Sequence, residues 1–366
     1  MKNIKNSILF FLLIAFTFSS CLDEIILEDS VDLEENIAIQ GSLVKGEPSK
    51  VDVFVSRLSN LTGVNLPKAI LDAEVFIIDE NGMELMLNNI NSGFYELEIP
   101  ANDPFIVDIN KTYQLKVVLV DGKTYESTFE MLLPVPKISS LGLKIVEREV
   151  TNTVTGQVTL QDWLQFNVNT PLVVAGNPTK SQMIWELVGT YQLTDTPTIS
   201  CRPTSNFPDP KVCYITEKIN LDKVVTFDGT RFTTDAITEF PVFEGSINFR
   251  FTQGYFMTFL QSSLTTDAHE YWTSVNDILQ RSGSLFEAPA GKIESNFKNI
   301  NDAEEEVFGY FYASEQDTAR IFVDPVFVGN PASSCPIEFD PLSPPSHCCN
   351  CLTLDNSTGI KPDWWQ

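Results

Sequence analysis

From residue 37 to residue 131 the apolar side chains fall at every second position, with short polar turns between the runs. Val51, Val53 and Val55 alternate with Asp52, Phe54 and Ser56, and Tyr113, Leu115, Val117 and Leu119 repeat the pattern up to Asp121-Gly122. A period of two puts successive side chains on opposite faces of a strand, one face buried and the other wet. Asp79-Glu-Asn-Gly82 divides residues 75–78 from 83–87, and Gly93-Phe-Tyr95 opens another strand. Asp-Gly and Asn-Gly pairs supply the positive φ that tight hairpins need. About seven such strands in fewer than ~100 residues is the size of an immunoglobulin-like β-sandwich, which is the expectation for residues 37–133.

Pro134 and Pro136 break the pattern and read as a connector. Beyond it, residues 137–328 read as a second β-rich domain, with strands at 143–149, 157–168, 182–191, 223–227, 247–260, 307–313 and 318–323. The 247–260 run carries Phe249, Phe251, Tyr255, Phe256 and Phe259, the composition of a strand buried on both faces, and Gly254 marks a bulge or a close approach. One helix is predicted near 267–281. Ala268, Trp272, Val275, Ile278 and Leu279 share a face, Asp267 caps it with Glu270 three residues on, and Gly283 stops it. Residues 329–366, rich in Pro and Cys, form a loop-rich tail. The fold class is therefore mainly β: a sandwich, a second β-rich domain with one inserted helix, and a disulfide-stapled tail.

Ahead of the strands, Lys2 and Lys5 precede an apolar run at 8–18 that ends in Ser19-Ser20-Cys21. A bilayer span needs ~20 apolar residues, so residues 1–20 read as a secretory signal. Serines placed just before a cysteine resemble the bacterial lipoprotein signal, in which the new N-terminal Cys21 is lipidated. Residues 21–36 are then an acidic tether. Loss of Lys2 and Lys5 moves the formal charge from −25 to −27. That acidity disfavours nucleic acid and anionic headgroups as partners and leaves attachment to outer-membrane lipid to the acyl chains. Asp23 and Glu24, directly after the cysteine, resemble the export signal that carries Bacteroidota lipoproteins to the outer face.

The chain holds seven cysteines. With Cys21 lipidated, Cys201, Cys213, Cys335, Cys348, Cys349 and Cys351 remain, an even number in an oxidising compartment, which fits disulfides. Cys201 and Cys213 enclose a proline-rich loop and are expected to staple it, leaving the four C-terminal cysteines to pair among themselves. His347 beside Cys348, Cys349 and Cys351 also offers zinc-type ligands. The even count, the exported location and the adjacency of two cysteines favour disulfides, so the expectation is no metal and no cofactor.

Catalytic patterns are not found. The two histidines, His269 and His347, lie far apart, with His269 placed as a surface or capping residue. No His-Glu-x-x-His, Gly-x-Ser-x-Gly, phosphate loop or dinucleotide fingerprint occurs. Trp163 and Trp185 fall in strand-like runs and read as core. Trp364 and Trp365, at the C-terminus, have no core of their own to join and are expected to dock on the protein's surface or on a partner.

The order of motifs along the chain resembles one family. It runs from the lipidated cysteine with trailing acids through an Ile-Gln-Gly-Ser strand to Asp72-Ala-Glu-Val75, Asp79-Glu-Asn-Gly82 and Gly93-Phe-Tyr95. Lys111-Thr-Tyr, Asp121-Gly-Lys-Thr-Tyr125, the Pro-Val-Pro joint, Val307-Phe-Gly309-Tyr310-Phe311 and Lys361-Pro-Asp-Trp364 complete it. This resembles the DUF4249 family of Bacteroidota outer-membrane lipoproteins, and the first domain also resembles prealbumin-like sandwiches. The resemblance implies a lipid-anchored protein of the outer membrane, facing the cell surface and partnered by a TonB-dependent transporter or another barrel protein. It implies no catalytic residues. The function expected is a non-enzymatic accessory to such a barrel complex; the alternatives are a binding module for a glycan, peptide or other nutrient, and, last, a hydrolase with a scattered active site.

Overall fold

The structure is a computed structural model describing residues 36–58, 67–175, 177, 179–200, 209–219, 223–280, 293–335 and 345–365. The signal, Cys21, Asp23, Glu24 and Cys201 lie outside the described residues. The fold is mainly β. Its first part contributes β1 (Ile37–Lys45), β2 (Ser49–Arg57), β3 (Lys68–Ala69), β4 (Glu74–Asp79), β5 (Glu84–Met86), β6 (Asn88–Asn91), β7 (Phe94–Ile99), β8 (Thr112–Val118), β9 (Thr124–Ser127) and β10 (Glu130–Met131). After the Pro-Val-Pro joint come β11 (Ser140–Thr151), β12 (Val158–Pro171), β13 (Gln182–Thr194), β14 (Val212–Lys218), β15 (Val225–Asp228), β16 (Ala236–Ser246) and β17 (Tyr255–Leu264). β18 (Phe297–Asn299), β19 (Val307–Phe308), β20 (Phe311–Val323) and β21 (Ser357–Thr358) follow the helix Thr266–Leu279.

One large sheet, ordered β21-β14-β13-β17-β20-β1-β2-β7-β6, runs through both halves of the molecule. A second sheet, β18-β9-β8-β4-β5, closes a sandwich over its β1–β2–β7 end, and a third, β11-β12-β16, covers the other end. The alternation read from sequence is what fills the first core: Ile39, Leu43, Val51, Val53 and Val55 face Val75, Ile77, Leu115 and Val117. Residues 37–133 do not complete that core alone. Phe297, Val307, Phe311 and Ala313 belong to it, because β20 runs parallel beside β1 and β18 pairs with β9.

β20 is the shared strand. Its first half pairs with β1, Gly41 opposite Phe311 through Lys45 opposite Glu315. Its second half pairs antiparallel with β17, Gln316 opposite Ser262 through Val323 opposite Tyr255. The sequence predicts two strands here, at 307–313 and 318–323, with the polar Ser314-Glu-Gln-Asp317 left between them. In the structure those polar residues stay extended and bind the joint. Glu315 Oε2 accepts from the Val135 N–H at 3.0 Å, and Asp317 Oδ2 accepts from the Ile138 N–H at 2.8 Å.

The 247–260 strand is corrected as well. Asn248 Oδ1 accepts from the Arg250 N–H and caps a tight turn at Phe249–Phe251. The strand starts only after Gly254, whose φ of +103° turns the backbone and whose missing side chain leaves room for the Phe322 ring. The helix is where it was predicted, but Thr265 caps it in place of Asp267, through its Oγ1 and the Ala268 N–H. Its first turns pack Ala268, Tyr271 and Trp272 on Ile184, Leu264, Tyr310 and Tyr312. Ile278 and Leu279 are left exposed. His269, expected at the surface, is 7% exposed, and burial holds its imidazole below the usual histidine range.

Candidate functional site

Three features outside the two cores carry side chains that could serve a function: the polar node at the joint, the stapled tail, and the free end of the third sheet.

At the node, the Glu130 carboxylate is buried and accepts from the Tyr310 hydroxyl at 2.7 Å, the Thr265 hydroxyl at 2.8 Å and the Asn296 amide at 3.3 Å. Burial pushes the Glu130 carboxyl above the usual carboxylate range, against the three hydrogen bonds, which pull it down. Nearby, Gln261 donates to the Pro136 carbonyl at 2.6 Å and accepts from the Trp185 indole at 2.8 Å. Ser263 donates to the Leu133 carbonyl at 2.6 Å. Each group is answered, so the node orients the two halves; buried polar groups that are all paired fix a geometry. Sequence reasoning passed over Glu130 and Tyr310 because their partners lie 135 and more residues away.

The tail is tied down by one bond within it, of the kind expected, and by one to the large sheet, which was not expected. Cys213 pairs with Cys351 and Cys335 with Cys348, with Cα atoms 5.9 and 5.3 Å apart, and Cys349 is disulfide-bonded too. The staple expected from Cys201 to Cys213 is therefore wrong. β14 carries Cys213 into the sheet core, where β21 brings the tail alongside, Tyr214 opposite Thr358. Cys335, His347 and Cys348 place ligand atoms within 4.8 Å of one another, but the two sulfurs are bonded together, so the thiolates zinc would need are not there. His347 stacks on Phe249 and shares a hydrogen bond with Ser334. Trp365 is buried against Tyr214 and Phe256, and Arg320 lies over the Trp364 ring at 4.7 Å. The aromatic pair thus docks on the protein itself.

The third sheet extends past the core. Phe166 of β12 meets Tyr255 at the start of β17, and β12 pairs with β16 only from Trp163 onward. Residues 147–162 therefore project as a two-stranded arm, closed by a turn in which the Asn152 side chain accepts from the Val154 and Thr155 N–H groups. Val154, Val158 and Leu160 are 91%, 54% and 65% exposed. Glu147, Glu149 and Thr151 share one face with Leu160, Val158 and Asp162. Arg148 is on the other face and forks onto Glu244, with Nε and Nη2 at 2.8 and 2.7 Å. Both strands were foreseen; that they leave the core was not, although 150–162 lacks the period-two burial of the first domain.

At the opposite end, where β1 begins, an open cleft of about 590 Å³ is lined by Arg57, Lys68, Leu71, Asp72, Val120 and Asp121. It mixes charges of both signs with exposed aliphatic side chains and contains no aromatic platform. Trp185 is buried in the second core, as read from sequence, whereas Trp163, expected in the core, is half-buried on the face of β12 away from Leu164 and Phe166.

The architecture is that of a two-part β scaffold, and the motif order has a match at family level. The family model described as "Domain of unknown function (DUF4249)" matches residues 24–320. The chain belongs to the DUF4249 family. No curated protein matches it.

Proposed function

We propose that the chain is a lipoprotein moored through Cys21 to the outer membrane, carried to the cell surface by Asp23 and Glu24, and serving as a non-enzymatic accessory to a TonB-dependent transporter or another barrel complex. What supports the reading is the polarity of the scaffold. The described chain begins at Asn36, whose carbonyl accepts from the Leu58 N–H at the cleft end. β1, the far half of β20 and the arm then follow one another away from that end, on the order of 75 Å at about 3.3 Å per residue. A tether of some fifteen residues adds at most ~50 Å of reach. A scaffold anchored at that end is held at a raised local concentration around a membrane neighbour, and the paired polar node fixes how its two halves join.

The test is acyl labelling of residue 21 in the native host, followed by crosslinking in intact cells and recovery of the protein with its neighbours. Acylated Cys21 and a co-purifying barrel protein are expected. A mature protein without an acyl group, or one crosslinked to no barrel, would overturn the reading.

A further inference from the structure

We propose that the outer edge of β11, over residues 144–151, takes up an extended segment of a partner protein in which lysine or arginine alternates with apolar residues. This goes beyond the reading above, since it holds for any protein partner and needs no membrane.

β11 is the terminal strand of its sheet, with β12 on one side and no strand on the other among the described residues. The strand is twelve residues long and runs on into the arm as far as Thr151. A row of unpaired backbone groups on a long edge is a template for strand addition. Natural edges are shielded by charges, bulges or prolines; this one has the carboxylates of Glu147 and Glu149 on one face, and Val146 and Val150 between Lys144 and the paired Arg148 on the other. Glu147 and Glu149 point to the same side as Asp162 across the arm, and none of the three forms a salt bridge with a described residue. The arm's own cation, Arg148, is held by Glu244 on the reverse face with Val146 and Val150. An added strand therefore meets the Glu147 and Glu149 carboxylates at alternate positions on one face, and on the other Val146 and Val150 flanking an Arg148 already paired with Glu244, which sets the alternation of the segment it prefers.

Charge excludes the other occupants. A lipid phosphate or a nucleic acid would face three carboxylates on a chain of net charge −25. A second copy joined antiparallel along the same edge keeps the two faces in register, because the two-fold axis stands perpendicular to the sheet. Centred on Arg148, it would set Glu147 opposite the Glu149 of the other copy, and like charges directly opposite are destabilising.

The probe is a synthetic peptide of four Lys-Val repeats, blocked at both ends, titrated into the full mature protein at low salt. Binding with added hydrogen-exchange protection in 144–151 is expected. Glu147→Lys with Glu149→Lys should weaken it about tenfold, from the loss and reversal of two cross-strand charge pairs. Asp302→Lys with Glu304→Lys, the same charge change at the other end of the molecule, should leave it nearly unchanged. The same peptide N-methylated at every residue keeps its charge but cannot donate to a strand, and should not bind. Equal weakening in the two double variants, undiminished binding of the methylated peptide, or no binding at all would each overturn the proposal.

Discussion

The Tyr310 hydroxyl donates to the Glu130 carboxylate across 2.7 Å, and both residues are buried where the two halves meet. Tyr310 precedes the shared strand and Glu130 precedes the joint, so the bond fixes the path of the chain at its two crossings. The proximity of Glu130 and burial together push the Tyr310 hydroxyl well above the usual phenol range, burial being the larger cause.

Replacing Tyr310 by Phe should lower stability by about 1.5–3 kcal/mol at neutral pH, the contribution of a hydrogen bond to a charged group. Because the carboxyl of Glu130 lies above its unfolded value in the folded protein, its contribution to stability is fully present below that unfolded value and is lost as pH rises through the folded one. Glu130→Gln stays neutral throughout. Urea unfolding of both proteins should show the stability difference moving in favour of the variant as pH rises from the ordinary carboxylate range through the folded value of Glu130.

Trp365 is a large side chain, 6% exposed, at the very end of the chain. Trp365→Ala should destabilise by about 3–5 kcal/mol, as large aromatic deletions from cores do. Trp364→Ala should do much less, since that ring is half-buried. Truncation after Pro362 should match the Trp365 variant in its urea midpoint. An unchanged midpoint would place the tryptophan pair outside the fold.

The two described disulfides close loops of very different length, 138 and 13 residues. On a chain-entropy account, removing Cys213–Cys351 should cost about 2 kcal/mol more than removing Cys335–Cys348. Unreduced peptide mapping should recover both linked pairs, and Cys213→Ser and Cys335→Ser variants compared by thermal unfolding should rank in that order.

Gly309 has a φ of +99°, and a Cβ there would run into the backbone of Ile39 on β1. Gly309→Ala combines a disfavoured backbone with a backbone clash, so a loss of at least about 2 kcal/mol is expected. It should appear first as exchange of the β1 and β20 amides. A neutral outcome in exchange and unfolding alike would show that the parallel pairing tolerates a shift.

Local chemistry was legible wherever a residue's neighbours in sequence are its neighbours in space. The Asp79–Gly82 and Asp121–Gly122 turns, the helix under Trp272 and the bend at Gly254 all follow from a few adjacent residues. What could not be read is what depends on separation. Ser314-Glu-Gln-Asp317 reads as a gap between strands until the amides of Val135 and Ile138 are supplied from 179 and 180 residues away. The pairing of Cys213 failed for the same reason: nothing near it announces that β21 will lie beside its strand. His269 was misplaced because the helix face was read without the strand end at Asp228, whose carboxylate acts on the imidazole. The family likeness was legible because motif order survives without knowledge of contacts, and it carries no site residues for the same reason.

One feature of the sheet governs how the protein can be made. The strand beside β1 is 274 residues further along, counted from Ile37 to Phe311. The opening hairpins therefore have one flank bare until the residues from Phe311 onward have folded beside β1. Pairings of such separation form slowly, and uncovered strand flanks invite association with other nascent chains. A gene fragment stopping at the proline joint would encode the hairpins and leave out their cover.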